Sequence, residues 1–283
     1  FGSVIPEDMT GQETLAVLDL VLSKRSVNPN AASFPAGYGD LPATAVYMAW
    51  KLLAWFVNHD IALAPAPHPA VLELADYLRG SDNADYPHRR FPYDIRACLR
   101  KIFLSRYFYD PAHRFAMHKT PAEYVVSALK TLDLDELYSD AKGPTPYLRD
   151  MGMELFQPPD VSGWRHGQSW TSSGSLLERF QYAKRVAYTL LDSGTAYGTY
   201  KLEAFLAVNG GTISAYDDHD GIVAAIDARM FQGGMSEDER AALLAAIEEV
   251  HALMKPEQAL DGYYFKMNAA IFLALTMHRF QLK

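Results

Sequence analysis

One cysteine in 283 residues, a shortage of basic residues, no long apolar run and almost no strand pattern set the limits of this chain. Each shortage excludes something. Cys98 alone can form neither an intramolecular disulfide nor a cysteine-cluster metal site. In "DIRACLRKIF", Ile95, Cys98, Leu99 and Ile102 keep the helical apolar period, so the cysteine reads as a small core residue. The count fits a reducing compartment, or an envelope protein that avoids stray thiols. With 26 Lys+Arg against 34 Asp+Glu, a formal charge of −8 and no basic run, nucleic acid is not an expected partner. The longest apolar run, Ala269 to Met277, is about half of what a bilayer span needs, so no membrane span is expected. "GGTISAY" is the one weak strand candidate. His-Glu-x-x-His, Gly-x-Ser-x-Gly, phosphate-loop and dinucleotide patterns are all missing, so no metal, cofactor or triad built from this chain alone is expected.

What is present is helical. The 49% hydrophobic and 21% charged residues are ordinary for a globular core. "TGQETLAVLDLVLSKR" opens with a capping box, Thr10 with Glu13. "LPATAVYMAWKLLAWFV" is apolar almost all round and reads as a central buried helix. "HPAVLELADYLRG" stops at Gly80, and "PYDIRACLRKIFLSRYF" follows. "TPAEYVVSALKTL" has Thr120 as N-cap, Pro121 at the first helical position and Glu123 to complete the box. A helix ends near Phe156. Further helices are read near 174–192, 200–208 and 220–231; then comes "SEDERAALLAAIEEVHALM", capped by Ser236 with Glu239, and the closing "PEQALDGYYFKMNAAIFLALTMHRF". Residues 26–40 form a long irregular loop. The fold expected is all-α, a single compact multi-helix domain of about nine to eleven helices.

Between two of these helices lies "ELFQPPDVSGWRHGQSW", part of a Pro/Gly/Trp-rich loop at 157–173. A corner explains it: residues before proline leave the helical region, Asp160 favours a turn, Gly163 can take positive φ, and Trp164 and Trp170 seal the corner, each needing one partner for its indole N–H. A ligand site explains it too. There the tryptophan faces stack on sugar rings, while Asp160, Arg165 and His166 supply hydrogen bonds or proton transfer. Asp160, Trp164, Arg165, His166 and Trp170 are therefore the ligand-binding candidates; no catalytic residue is assigned.

The stretch "MGMELFQPPDVSGWRHGQSWTSSGSLLERF" resembles the signature of a bacterial family, domain of unknown function 1800 (DUF1800): Met-Gly-x-x-Leu-Phe-x-Pro-Pro-x-Val-x-Gly-Trp, a second Trp, then a Ser/Thr-Leu-Leu-x-Arg helix. Met151, Gly152, Leu155, Phe156, Pro158, Pro159, Val161, Gly163, Trp164, Trp170, Leu176, Leu177 and Arg179 stand at those places. "KTPAEYVVSAL", "MAWKLLAWFV" and "FLALTMHRFQLK" resemble the family's other helices in order. The resemblance implies an exported protein in a periplasmic or extracellular setting. It also implies an upstream half containing an Asn-Glu-Asn-x-x-Arg-Glu segment, so that 1–283 is the C-terminal part of the family domain. That half is an expected partner, covering the most apolar helices. A sulfatase-like protein (domain of unknown function 1501) or a polysaccharide is the other. Two functions follow: a noncatalytic envelope protein that binds or assembles with a partner, or a hydrolase or other enzyme on an extracellular polymer with the tryptophan loop in its site.

Three other clusters have simpler explanations. In "YDDHDG", Asp217, Asp218, His219 and Asp220 suggest a metal, but the calcium-loop register fails, and acids before "GIVAAIDARMF" cap a helix. His113 and His118 are five apart, which does not put them on one helical face. Glu123 and Glu154 are candidates for paired carboxylates only if the fold brings them together. The consecutive aromatics Tyr263, Tyr264 and Phe265 cannot all face one way on a helix, so the last helix should be covered on several sides.

Overall fold

The computed structural model describes Leu18, Leu22 and residues 41–63, 67–80, 92–134, 144–161, 163–190, 218–253 and 259–283. The helices read at 10–25 and 200–208, the loop 26–40 and "GGTISAY" lie outside these residues, apart from Leu18 and Leu22, which are helical. Among the described residues the chain is all-α: nine α-helices and no strand, with an isolated antiparallel bridge between His118 and Leu282. Contacts group the chain into two compact units, Phe1–Met117 and His118–Lys283.

In the first unit, α1 (Ala43–Phe56), α2 (Pro69–Arg79) and α3 (Ile95–Phe103) share one core. Local signals set their ends. The His68 ring accepts the Ala70 N–H at the start of α2, and Asp94 accepts that of Ala97 at the start of α3. Gly80 ends α2 at φ +81°, and a Cβ there would lie 3.0 Å from Pro92 Cγ, so both conformation and space require glycine. Cys98 is fully buried beside Ala97 and Ile102. α1 departs from its expectation. It buries Ala45, Val46, Ala49 and Leu53 on one face but leaves Trp55 56% exposed, so it is not surrounded. An apolar composition permits burial all round; only packing decides it.

The second unit holds α4 (Pro121–Thr131), α5 (Thr145–Asp150), α6 (Ser173–Arg185), α7 (His219–Ile226), α8 (Glu237–Ala252) and α9 (Ala259–Thr276). Both capping boxes form as read: Thr120 with Glu123 opens α4, and Ser236 with Glu239 opens α8. Asp218 caps α7 by accepting the Gly221 N–H at 2.9 Å, the role expected for the acids of "YDDHDG". α6 and α7 each run on into one π-helical turn, Val186–Leu190 and Asp227–Phe231. α9 packs against α6, α7 and α8, which accounts for its apolar composition through Met267, Ala270, Ile271, Ala274 and Leu275. Phe265 remains half exposed at its earlier part, less covered than expected. A 3-10 turn, His278–Gln281, then brings the chain back beside the start of α4, where the Lys119 N–H donates to the Gln281 carbonyl at 2.8 Å.

Candidate functional site

The motif begins with a helix stop. α5 ends at Asp150 rather than near Phe156, because Gly152 takes φ +90°. The Gly152 N–H donates to the Arg149 carbonyl at 2.8 Å and the Met153 N–H to that of Leu148 at 2.7 Å, the paired bonds of a Schellman cap. Gly152 was the visible signal for that stop.

From there the chain turns outward. The Gln157 N–H donates to the Glu154 carbonyl at 3.1 Å, and within this turn Phe156 sits at φ +65°, a left-handed conformation unusual for a bulky side chain. Phe156 is 98% exposed; Pro158, Pro159 and Asp160 are exposed; Val161 is as open as in an extended peptide. The Gly163 N–H then closes onto the Asp160 carbonyl at 3.1 Å, with Gly163 at φ +90° as its sequence position suggested. A 3-10 turn, Gly167–Thr171, leads into α6.

The five candidates separate by depth. Trp170 is buried, Trp164 half-buried, and their rings lie 6.5 Å apart with a 46° tilt. Asp160, Arg165 and His166 are exposed. The corner reading expected a partner for each indole N–H, but that of Trp170 is buried without one. Burying a whole indole outweighs roughly 1–3 kcal/mol for one unsatisfied N–H. The Trp170 carbonyl accepts the Ser175 hydroxyl at 2.8 Å, and Ser172 caps α6, so the far end of the loop is tied to that helix.

α6 in turn carries Arg179, fully buried, which anchors the motif in the second unit. Its Nη1 donates to Gln281 Oε1 at 2.9 Å and its Nη2 to the Lys119 carbonyl at 2.7 Å, while the guanidinium lies 5.0 Å from the centre of the Tyr124 ring. The Tyr124 hydroxyl lies 3.3 Å from the Arg179 carbonyl and 3.2 Å from that of Leu275, donating between them. Lys119 places its ammonium 3.9 Å from the centre of the Phe280 ring, and Lys283 pairs with Glu123.

Electrostatics follow from this burial. Burial, reinforced by the Arg179 charge, pulls Lys119 down to about 8. Burial lowers Arg179 to about 10, which leaves it charged at neutral pH. It raises Tyr124 well above the usual phenol range. Burial pushes Glu123 up, but hydrogen bonds from Lys283 and Thr120 more than offset it and hold the carboxyl below its ordinary value. A pH profile is therefore expected. Between pH 8 and roughly 10 the unfolded chain protonates Lys119 and the folded chain does not, so that lysine contributes rising stability with pH. Above about pH 10 two contributions oppose each other: the unfolded chain ionises Tyr124 and the folded chain does not, which lowers stability, while the folded chain releases the Arg179 proton before the unfolded one, which raises it. Urea midpoints measured from pH 7 to 10 should rise, and Lys119→Met should flatten that rising limb. A rising limb unchanged in Lys119→Met would remove this assignment.

Sequence reading missed a second buried cation. Lys266 is buried on α9 with its Nζ 3.0 Å from His251 Nδ1 and 3.4 Å from His219 Nε2, the two rings being 4.9 Å apart. Neither spacing, 15 and 47 residues, leaves a trace in sequence periodicity. Among the described residues no three His, Cys, Asp or Glu side chains are placed to hold a metal ion, and no helix is long and apolar enough to cross a membrane.

No curated protein and no solved structure matches the chain. The profile of the family described as "Protein of unknown function (DUF1800)" matches residues 39–282, a span that includes the outward loop, the Arg179 anchor and the C-terminal turn. The chain belongs to the DUF1800 family.

Proposed function

We propose that the chain is a noncatalytic binding or assembly component, and that the loop 154–166 docks into an apolar pocket of a partner protein. The observation that carries this reading is Phe156, 98% exposed and held at φ +65°. A strained phenylalanine in solvent contributes nothing to the fold, and strain of this kind is kept where function needs it. Pro158 and Pro159 stiffen the flank, which lowers the entropy lost on binding. The exposed apolar groups are Leu155, Phe156 and Val161, shapes that fill a protein pocket. The rings suited to stacking on sugar are the less available ones, Trp170 buried and Trp164 half-buried, so a protein is favoured over a polysaccharide. The reading retains the periplasmic or extracellular setting that the resemblance implies, with the sulfatase-like neighbour as the first partner to test.

Phe156→Asn separates binding from folding, because asparagine tolerates the left-handed conformation. The variant should be as stable as wild type or more stable by about 0.5 kcal/mol, while the partner complex weakens at least about tenfold. The complex is measured by co-purification with the sulfatase-like protein and by photo-crosslinking from position 156. Unchanged complex formation would reject the docking loop. Binding of a polysaccharide that Trp164→Ala abolishes and Phe156→Asn leaves intact would reject the protein partner.

A further inference from the structure

The first unit carries a second exposed surface of a different character. Arg96, Arg100 and Phe103 follow the i, i+4, i+7 spacing on the outer face of α3, opposite buried Cys98 and Ile102. Past the helix end, Leu104 is 69% and Tyr109 70% exposed. Phe103 meets both Phe56 and Phe108 edge-on, at 5.5 and 5.2 Å, and Phe108 meets Tyr109 at 5.2 Å. This chain of rings links Phe56 on α1 to Phe103, Phe108 and Tyr109. Arg106 and Arg114 are exposed on the same stretch. Lys101 is paired with Glu73 at 2.7 Å, and Arg114 lies 5.1 Å from the centre of the Phe115 ring. The exposed Arg96, Arg100 and Arg106 outnumber Asp94, which caps α3, and Asp110, which caps the 3-10 turn Pro111–His113. In a chain of formal charge −8 this is a local reversal of sign.

We propose that residues 96–114 form a peripheral docking surface for an anionic lipid bilayer. The chemistry of such a boundary is matched group by group. Leu104 and Phe103 enter the outer acyl region, Tyr109 lies at headgroup depth with its hydroxyl in water, and Arg96, Arg100 and Arg106 meet lipid phosphates. A cationic rim around projecting apolar tips complements a negatively charged apolar layer on both counts. This role does not rest on the function of the loop 154–166.

Flotation of the full chain with vesicles tests this. Vesicles of phosphatidylcholine mixed with phosphatidylglycerol should carry the protein upward, phosphatidylcholine alone should not, and rising salt should weaken the association. Leu104→Ser with Tyr109→Ser, and separately Arg100→Gln with Arg106→Gln, should each reduce binding at least about tenfold. Val126→Ser, an exposed apolar site in the other unit, should leave it unchanged. Circular dichroism checks that the variants fold. Should one fail, the wild-type preference for anionic over neutral vesicles still decides. Absence of that preference, wild-type binding by both double variants, or capture of a soluble protein by this surface without vesicle binding would overturn the proposal.

Discussion

Arg179→Ala should destabilise the unit His118–Lys283 by about 4 kcal/mol, among the largest effects expected of any single substitution here. The number comes from what is left behind, not from the charge itself. Burying a guanidinium costs several kcal/mol, and two carbonyl-type acceptors and one aromatic ring return about the same amount. Alanine, however, leaves a cavity the size of the long arginine stem, worth about 2–3 kcal/mol, and strips Gln281 Oε1 and the Lys119 carbonyl of their donors. Methionine fills most of the volume and restores none of the donors, so Arg179→Met should recover about half of the loss. Arg179→Lys keeps the charge but cannot reach two acceptors at once, and should recover less than methionine. Guanidinium unfolding with unchanged slope measures all three. An alanine variant within about 1 kcal/mol of wild type would show that the anchor is not structural.

Arg179 also shows why sequence reading goes only so far. Its partners lie 102 and 60 residues away, and an arginine on a helix otherwise reads as a solvated charge. The caps were legible because each is contained in four residues: Thr120 to Glu123, Ser236 to Glu239, Asp218 to Gly221. Gly152 was legible in the same way, but the apolar Leu155 and Phe156 beyond it suggested a longer helix. For the loop, residue types alone favoured a sealed corner and left the sugar platform as the second reading. What decides between inward and outward is whether neighbouring elements offer Phe156 and Val161 a surface, and the exposure of both shows that they do not. α1 failed in the opposite direction: its sequence allowed burial on every side, but the packing of α2 and α3 buries one face.

Asp227 should give the second large effect, about 3 kcal/mol for Asp227→Ala. The carboxylate is 1% exposed at the start of the π turn that extends α7. One oxygen accepts the Met235 N–H at 2.9 Å and the other pairs with Arg240 on α8, so a single side chain fixes the link from Gln232, at φ +55°, to the capping box at Ser236. Its loss leaves a buried N–H unsatisfied and frees the entry to α8. Arg240 is 43% exposed, and water partly replaces what it gives, so the ion pair is the smaller share. Asp227→Asn, which keeps an acceptor for Met235 and removes the charge, should therefore cost only about 1–1.5 kcal/mol. Arg240→Ala should cost about 1–2 kcal/mol, since it leaves the buried charge with the Met235 N–H as its remaining described donor. A double-mutant cycle of Asp227→Ala with Arg240→Ala separates these contributions. Coupling of about 1 kcal/mol, well below the single Asp227→Ala loss, places most of the energy in the Met235 bond and the turn it holds. Coupling equal to that whole loss would place it in the ion pair instead.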